Sequence, residues 1–323
     1  MLKQVVWPIP MLAGLLALSR CAFPADETPA SHATPITYGA QACVAAPALE
    51  VLAMFTPSPA DVAVCPNGDV FVTLDGQDEV WRVPTEPAGA PVRHAAVTGV
   101  QPAGIACDAQ GRLFVAAFAL RDNSPYDAPG VLVIDGADAA PRAVTPPRVG
   151  FLTPNGIAAA DGVGVYVSDT LAGTITLLRE IQGEWVATIE ARNLLGVNGL
   201  AYDSAKGTLY ATNSLNQALV SFDVARAGGL SSQRLRWVGP LGAQLDEVEV
   251  NADGELYVAA YGGGAVYRVA DESVVARLTH PASLAFHGDS LLITDYHLNE
   301  PTIEGGLYRL ALGACGDAVM PRW

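Results

Sequence analysis

PNGIAAADGVGVYVSDT, from Pro154 to Thr170, reads as a short apolar strand, a glycine turn and a second strand rich in β-branched and aromatic residues. Five other stretches have the same layout: PADVAVCPNGDVFVTLD from Pro59, PAGIACDAQGRLFVAAF from Pro102, VNGLAYDSAKGTLYATNS from Val197, LDEVEVNADGELYVAAY from Leu245 and PASLAFHGDSLLITDY from Pro281. Aligned on Asp61, Gly104, Gly156, Gly199, Glu247 and Ser283, they recur at steps of 43, 52, 43, 48 and 36 residues. A period in that range is what one four-stranded blade per repeat requires. A third strand follows each pair, as EVWRV, GVLVID, TITLL, ALVSF, AVYRV and GLYRL, and long amphipathic helices are absent. The expected fold is therefore all-β: a six-bladed β-propeller with four-stranded antiparallel blades. A blade cannot bury both faces alone, so residues 43–323 are expected to fold as one domain.

The sixth repeat has completed three strands by Leu312, near the end of the chain. A bare edge would remain unless a strand came from elsewhere. Residues 48–55 (ALEVLAMF) precede the first repeat and are expected to supply it, closing the last blade with an N-terminal strand. That closure brings Cys43 toward Cys315, and a disulfide between them is expected to fasten the ring. Cys65 and Cys107 occupy adjacent repeats as either buried thiols or a second bridge.

Composition narrows the partners. The 323 residues carry 18 Lys and Arg against 33 Asp and Glu, a net charge of −15. A field of that sign repels phosphate backbones and anionic lipid, which argues against nucleic acid or an acidic membrane surface as partner. Lys3 followed by the apolar run Met11–Leu18 and small residues near Ala25 reads as a signal peptide over residues 1–25. Residues 26–42 read as a polar leader, so the mature chain is expected to be periplasmic or secreted, with no membrane span. A small-molecule ligand or substrate is the expected partner.

In each repeat the residue before the first strand and the residue after the second share one rim of the channel. The former are Ala60 (then Asp61), Ala103, Asn155, Asn198, Asp246 and Ala282. Of the latter, Asp169, Asn213, Tyr261 and Asp295 are expected to border a pocket, with His297 just beyond. Asn155, Asn198 and Asp246 bring amide and carboxylate oxygens to one mouth, the hard donor set that suits Ca²⁺ or Mg²⁺. If such residues only capped turns they would recur in every repeat, whereas repeats two and six carry Ala. The opposite mouth, where Asn67–Gly68 and Asp253–Gly254 turns sit, shows no such convergence.

PNGIA at Pro154, VNGLAYDSAKGTLYATNS at Val197 and LDEVEVNADGELYVAAYGGGAVYRV at Leu245 resemble the senescence-marker-protein/gluconolactonase (regucalcin-like) family of six-bladed propellers. The resemblance implies a divalent metal held by Asn155, Asn198 and Asp246, with Asp246 also serving as base, and hydrolysis of lactones. Ca²⁺ is the first choice of ion, with Zn²⁺, Mn²⁺ or Mg²⁺ as alternatives. Where the family has a Glu in blade one this chain has Ala60, with Asp61 one residue later as a shorter candidate ligand, and Glu247 follows Asp246. The related paraoxonases join their chain ends by a disulfide, to which the placement of Cys43 and Cys315 is similar. The expected activity is that of an exported, metal-dependent lactone or ester hydrolase, with Asp246 or His297 taking a proton from water. The alternative is a non-catalytic propeller that binds a small ligand or a protein in the cell envelope.

Overall fold

The computed structural model describes residues 49–312 apart from 75–76, 86–88, 123, 138, 147–148, 299 and 301. The expected signal peptide, leader and Cys43–Cys315 disulfide lie outside the described residues. Six four-stranded antiparallel sheets form the blades of a six-bladed propeller. Blade one comprises β2 (Val62–Val64), β3 (Val70–Leu74), β4 (Glu79–Val83) and β5 (Val92–Ala96), and blade two β6 (Val100–Cys107), β7 (Leu113–Leu120), β8 (Gly130–Ile134) and β9 (Arg142–Ala143). Blade three is β10 (Pro154–Ala160), β11 (Gly164–Asp169), β12 (Thr174–Ile181) and β13 (Glu184–Ala191). Blade four is β14 (Val197–Asp203), β15 (Thr208–Asn213), β16 (Ala218–Val224) and β17 (Leu230–Val238). Blade five is β18 (Leu245–Val250), β19 (Leu256–Ala260), β20 (Ala265–Arg268) and β21 (Ser273–Arg277).

Blade six has β22 (Pro281–His287), β23 (Ser290–Asp295) and β24 (Gly305–Ala311), and its fourth strand is β1 (Leu49–Phe55). β1 pairs antiparallel with β24 from Leu49↔Leu310 to Phe55↔Gly305, so the N-terminal strand covers the edge as expected. The innermost strands β2, β6, β10, β14, β18 and β22 each touch the next around a closed circle.

Burial follows position in the blade. The second strands are almost wholly buried, as in Val70–Leu74 and Thr208–Asn213, whereas the outer strand β17 is mostly exposed. The apolar core divides into six clusters, each drawn chiefly from two adjacent blades. Phe114 of blade two, for example, packs with Ile157 and Val167 of blade three, and Tyr257 of blade five with Leu284 and Ile293 of blade six. Removing one blade would expose two of these cores, which is why the ring folds as a unit. Cys65 and Cys107, left open by the sequence, form a disulfide between the ends of the inner strands of blades one and two.

Candidate active site at one mouth of the channel

One backbone irregularity builds the site. In blade three Pro154 pairs with Asp169 and Ile157 with Val167, so Asn155 and Gly156 together oppose the single residue Ser168. The same bulge occurs in blades two (Pro102↔Ala117, Ile105↔Val115), four (Val197↔Asn213, Leu200↔Ala211), five (Leu245↔Ala260, Val248↔Val258) and six (Pro281↔Asp295, Leu284↔Ile293). A bulge breaks the alternation of the pleat and re-aims a side chain. Here the first bulge residues Ala103, Asn155, Asn198, Asp246 and Ala282, with Ala60 of blade one, all line one cavity of ≈ 280 Å³. The second bulge position holds Gly104, Gly156 and Gly199 in blades two to four. A Cβ there would lie 2.2 Å from Asn155 O, Asn198 O or Glu247 Oε1 of the next blade, so only glycine fits.

Hydroxyls of the second strands fix the ligand-bearing backbone of the following blade. Ser168 Oγ accepts from Gly156 N at 2.8 Å and donates to Asn198 O at 2.6 Å, while Thr212 Oγ1 donates to Asp246 O at 2.5 Å. The Asn155 amide nitrogen donates to Thr170 Oγ1 at 3.3 Å and that of Asn198 to Ser214 Oγ at 3.0 Å. With the nitrogens engaged by the blades, each amide oxygen is the donor left to offer the cavity. The Asn198 amide also draws the Asp246 carboxyl down, against the effect of burial.

The acidic groups lie at two depths. Asp246 stands on the first bulge position and Glu247 on the second, one step further down the channel, and Asp61 takes the aligned place in blade one. Asp61 and Glu247 line both this cavity and a smaller one of ≈ 200 Å³ at the other mouth, and so mark the waist of the channel. Asp61 is firmly held: Oδ1 accepts from Val62 N at 2.7 Å and from Ser283 Oγ, and Oδ2 accepts from Ile105 N at 2.8 Å. Burial pushes the Asp61 carboxyl up to about 6, against the pull of those hydrogen bonds. Burial and the nearby Asp61 charge push Asp246 up to about 7 and Glu247 well above the ordinary carboxylate range. Among the described residues, no Lys, Arg or His lines the cavity to compensate.

The donor chemistry fits a hard divalent cation: two amide oxygens and a carboxylate on three adjacent blades, above the carboxyl groups of the waist. The fit rests on the Asn155–Asn198–Asp246 rim. Among the described residues, the one trio of His, Cys, Asp or Glu side chains with ligating atoms within 4.8 Å of one another is His280, Asp295 and His297, so Asp61, Asp246 and Glu247 stay further apart.

Three residues expected to border the pocket do not line it. Asp169 accepts from Leu152 N at 2.7 Å, Thr153 N at 3.1 Å and Ala172 N at 3.0 Å. Asn213 donates to Leu195 O and accepts from Leu215 N and Asn216 N, each at 3.0 or 3.1 Å. Asp295 accepts from His280 N at 2.6 Å. All three end a second strand opposite the residue that precedes the bulge, so their side chains cap the loops there. Tyr261 does line the cavity. His297 does not: its ring stands edge-on to His280, which stacks on Tyr261, while Tyr296 and Leu298 on either side of it face the cavity.

Sequence reading passed over several groups. Glu249 lines the opposite mouth, where burial pushes its carboxyl up to about 8. The alternation of Glu247 and Glu249 in LDEVEV was a legible sign that both face the channel. The apolar lining by Leu215 and the positioning hydroxyls of Ser168 and Thr212 had no such sign.

Comparison with known proteins agrees with this architecture. Residues 176–297 match the family model described as the SMP-30/Gluconolactonase/LRE-like region; the matched segment contains Asn198 and Asp246, while Asn155 lies before it. No curated protein matches the sequence significantly. Among solved structures, a gluconolactonase from Xanthomonas campestris superposes with a TM-score of 0.63 at 17% identity, over 81% of this chain and 89% of that one. A calcium-binding protein, regucalcin, from Agrobacterium tumefaciens gives 0.62 at 17% identity, over 82% and 93%. A luciferin-regenerating enzyme gives 0.64 at 16% identity, over 83% and 96%. At these identities the likeness is one of fold.

Proposed function

We propose, for a chain whose residues 176–297 match the SMP-30/gluconolactonase/LRE-like region, that it is an exported metal-dependent hydrolase of a lactone or related ester. One observation carries the reading: Asn155, Asn198 and Asp246 take the same bulge position in three neighbouring blades and line one cavity that has no basic side chain among the described residues. These three residues would hold the ion, probed first as Ca²⁺. A bound divalent cation would supply polarisation of the ester carbonyl and stabilisation of the charge that develops on its oxygen.

The chain's own groups do the rest. Asp246, on the rim beside Asn198, is the carboxylate placed to take a proton from water. Addition of the resulting hydroxide to the carbonyl carbon gives a tetrahedral adduct; its collapse breaks the ring C–O bond, and the leaving alkoxide takes the proton back from Asp246 to give the hydroxy acid. Phe118, Leu215, Leu298 and Tyr261 offer apolar surface to the body of the substrate. Export is supported by the N-terminal sequence and by the Cys65–Cys107 disulfide, which suits an oxidising compartment.

The test is hydrolysis of a series of lactones of different ring size by the purified chain with Ca²⁺, Mn²⁺ or Zn²⁺ supplied, beside Asp246→Ala. The expected outcome is metal-dependent hydrolysis in the parent chain and loss of both activity and the rim ion in the variant. A chain that binds no ion and opens no lactone overturns the proposal and leaves a ligand-binding propeller.

A further inference from the structure

Beside this cavity stands a second group of side chains with a different donor chemistry. His280 precedes β22, and Asp295 and His297 follow at the end of β23, so the hairpin of blade six brings them together. Their ligating atoms lie within 4.8 Å of one another. The two imidazoles meet through Nδ1, 3.3 Å apart. Two nitrogens each about 2.0–2.1 Å from one tetrahedral ion stand roughly 3.3–3.4 Å apart, so the pair already has the spacing of ligands sharing a cation.

The surroundings hold the rings in place. The His297 side chain is only 9% exposed, and its backbone N donates to Ser58 Oγ at 2.7 Å. His280 is stacked on Tyr261, ring centroids 4.8 Å apart, and its backbone N is fixed by Asp295. Asp295 Oδ2 is 4.0 Å from His297 Nε2, and Glu300 Oε2 is 3.8 Å from His297 Nδ1. Two carboxylates thus flank the imidazole pair.

We propose that His280, His297 and Asp295, with Glu300 from the following loop, form a second cation site that takes a borderline transition ion of the Zn²⁺ class. Imidazole nitrogen suits Zn²⁺, Ni²⁺ or Cu²⁺, whereas the all-oxygen rim of Asn155, Asn198 and Asp246 suits Ca²⁺, so donor chemistry sorts the two ions. Because Tyr296 and Leu298 line the cavity and bracket His297, an ion here would fix one wall of the candidate active site without touching its floor.

The experiment is zinc and calcium content of the full chain after loading with both ions and desalting, with Co²⁺ as a spectroscopic stand-in for Zn²⁺. One Zn²⁺ per chain is expected in the parent, and also in Asp246→Ala, which loses only Ca²⁺. His280→Ala and His297→Gln are each expected to lose the Zn²⁺ and the visible Co²⁺ absorption of a nitrogen-ligated site while keeping Ca²⁺. Glu300→Gln, on an exposed side chain that cannot unfold the ring, is expected to weaken Zn²⁺ several-fold. No Zn²⁺ uptake by the parent, which would mean that the imidazoles share only a proton, overturns the site. So does stoichiometric Zn²⁺ retained in His280→Ala or His297→Gln.

Discussion

Blades three to five and blades six, one and two use one backbone for different purposes. The aligned rim residues are Asn155, Asn198 and Asp246 in the first half but Ala282, Ala60 and Ala103 in the second. The second half instead carries the devices that close the ring. β1 completes blade six, Asp61 of blade one accepts a hydrogen bond from Ser283 of blade six, and Cys65–Cys107 joins blades one and two. The rim donors and the closure devices thus sit in different halves: the rim position sets where a side chain points, and the residue placed there decides whether that direction matters.

The largest effect is expected in the closure half. The disulfide spans a sequence separation of 42 residues, and in the chain-entropy model its loss costs up to about 4 kcal/mol. Replacing both Cys65 and Cys107 by Ser should lower the denaturant midpoint accordingly and leave Ca²⁺ affinity of the folded chain unchanged; an unchanged midpoint would remove the disulfide from closure. In the donor half, Gly156→Ala forces a Cβ to within 2.2 Å of Asn198 O. We expect a loss of roughly 1–3 kcal/mol, the usual cost of overpacking, together with weaker ion binding because the ligand backbone must move. Loss of stability without loss of affinity would show that the rim tolerates the shift.

Changing pH should separate the halves more gently. Asp246 and Asp61 are raised to about 7 and about 6, so the ion-free native chain holds protons that the unfolded chain releases near the ordinary carboxylate value. Stability from these groups is complete below that value and falls as pH rises through about 6 to 7. A cation offsets the loss, and its affinity should climb over the same window, roughly tenfold or more between about pH 5 and about pH 8 by calorimetric titration. A flat profile would mean that these carboxylates do not share the ion's site. Finally, Ala60→Glu would give blade one a charged rim donor like its opposite number Asp246. About tenfold tighter Ca²⁺ binding is expected, since affinity follows the charge count of the ligands; no gain would place blade one out of reach of the ion.

The blade count and closure were legible because a propeller repeats its strand, turn and strand at a near-constant interval, and because repeat six visibly lacks a strand that ALEVLAMF can supply. The candidate ligands were legible for the same reason: alignment of NG, NG and DE in PNGIA, VNGLA and LDEVE exposes the rim position. Sequence position could not separate Asp169, Asn213 and Asp295 from the pocket, because a residue beside a bulge and one facing it share a rim but not a direction.

Which way those side chains turn, the pairing of Cys65 with Cys107, the hold of Ser283 on Asp61 and the meeting of His280 with His297 depend on contacts between distant stretches of chain. Local pattern fixes strands and turns because backbone sterics and burial act over a few residues. The side-chain meetings were decided only when the ring closed, since they depend on packing between strands that no short window of sequence contains.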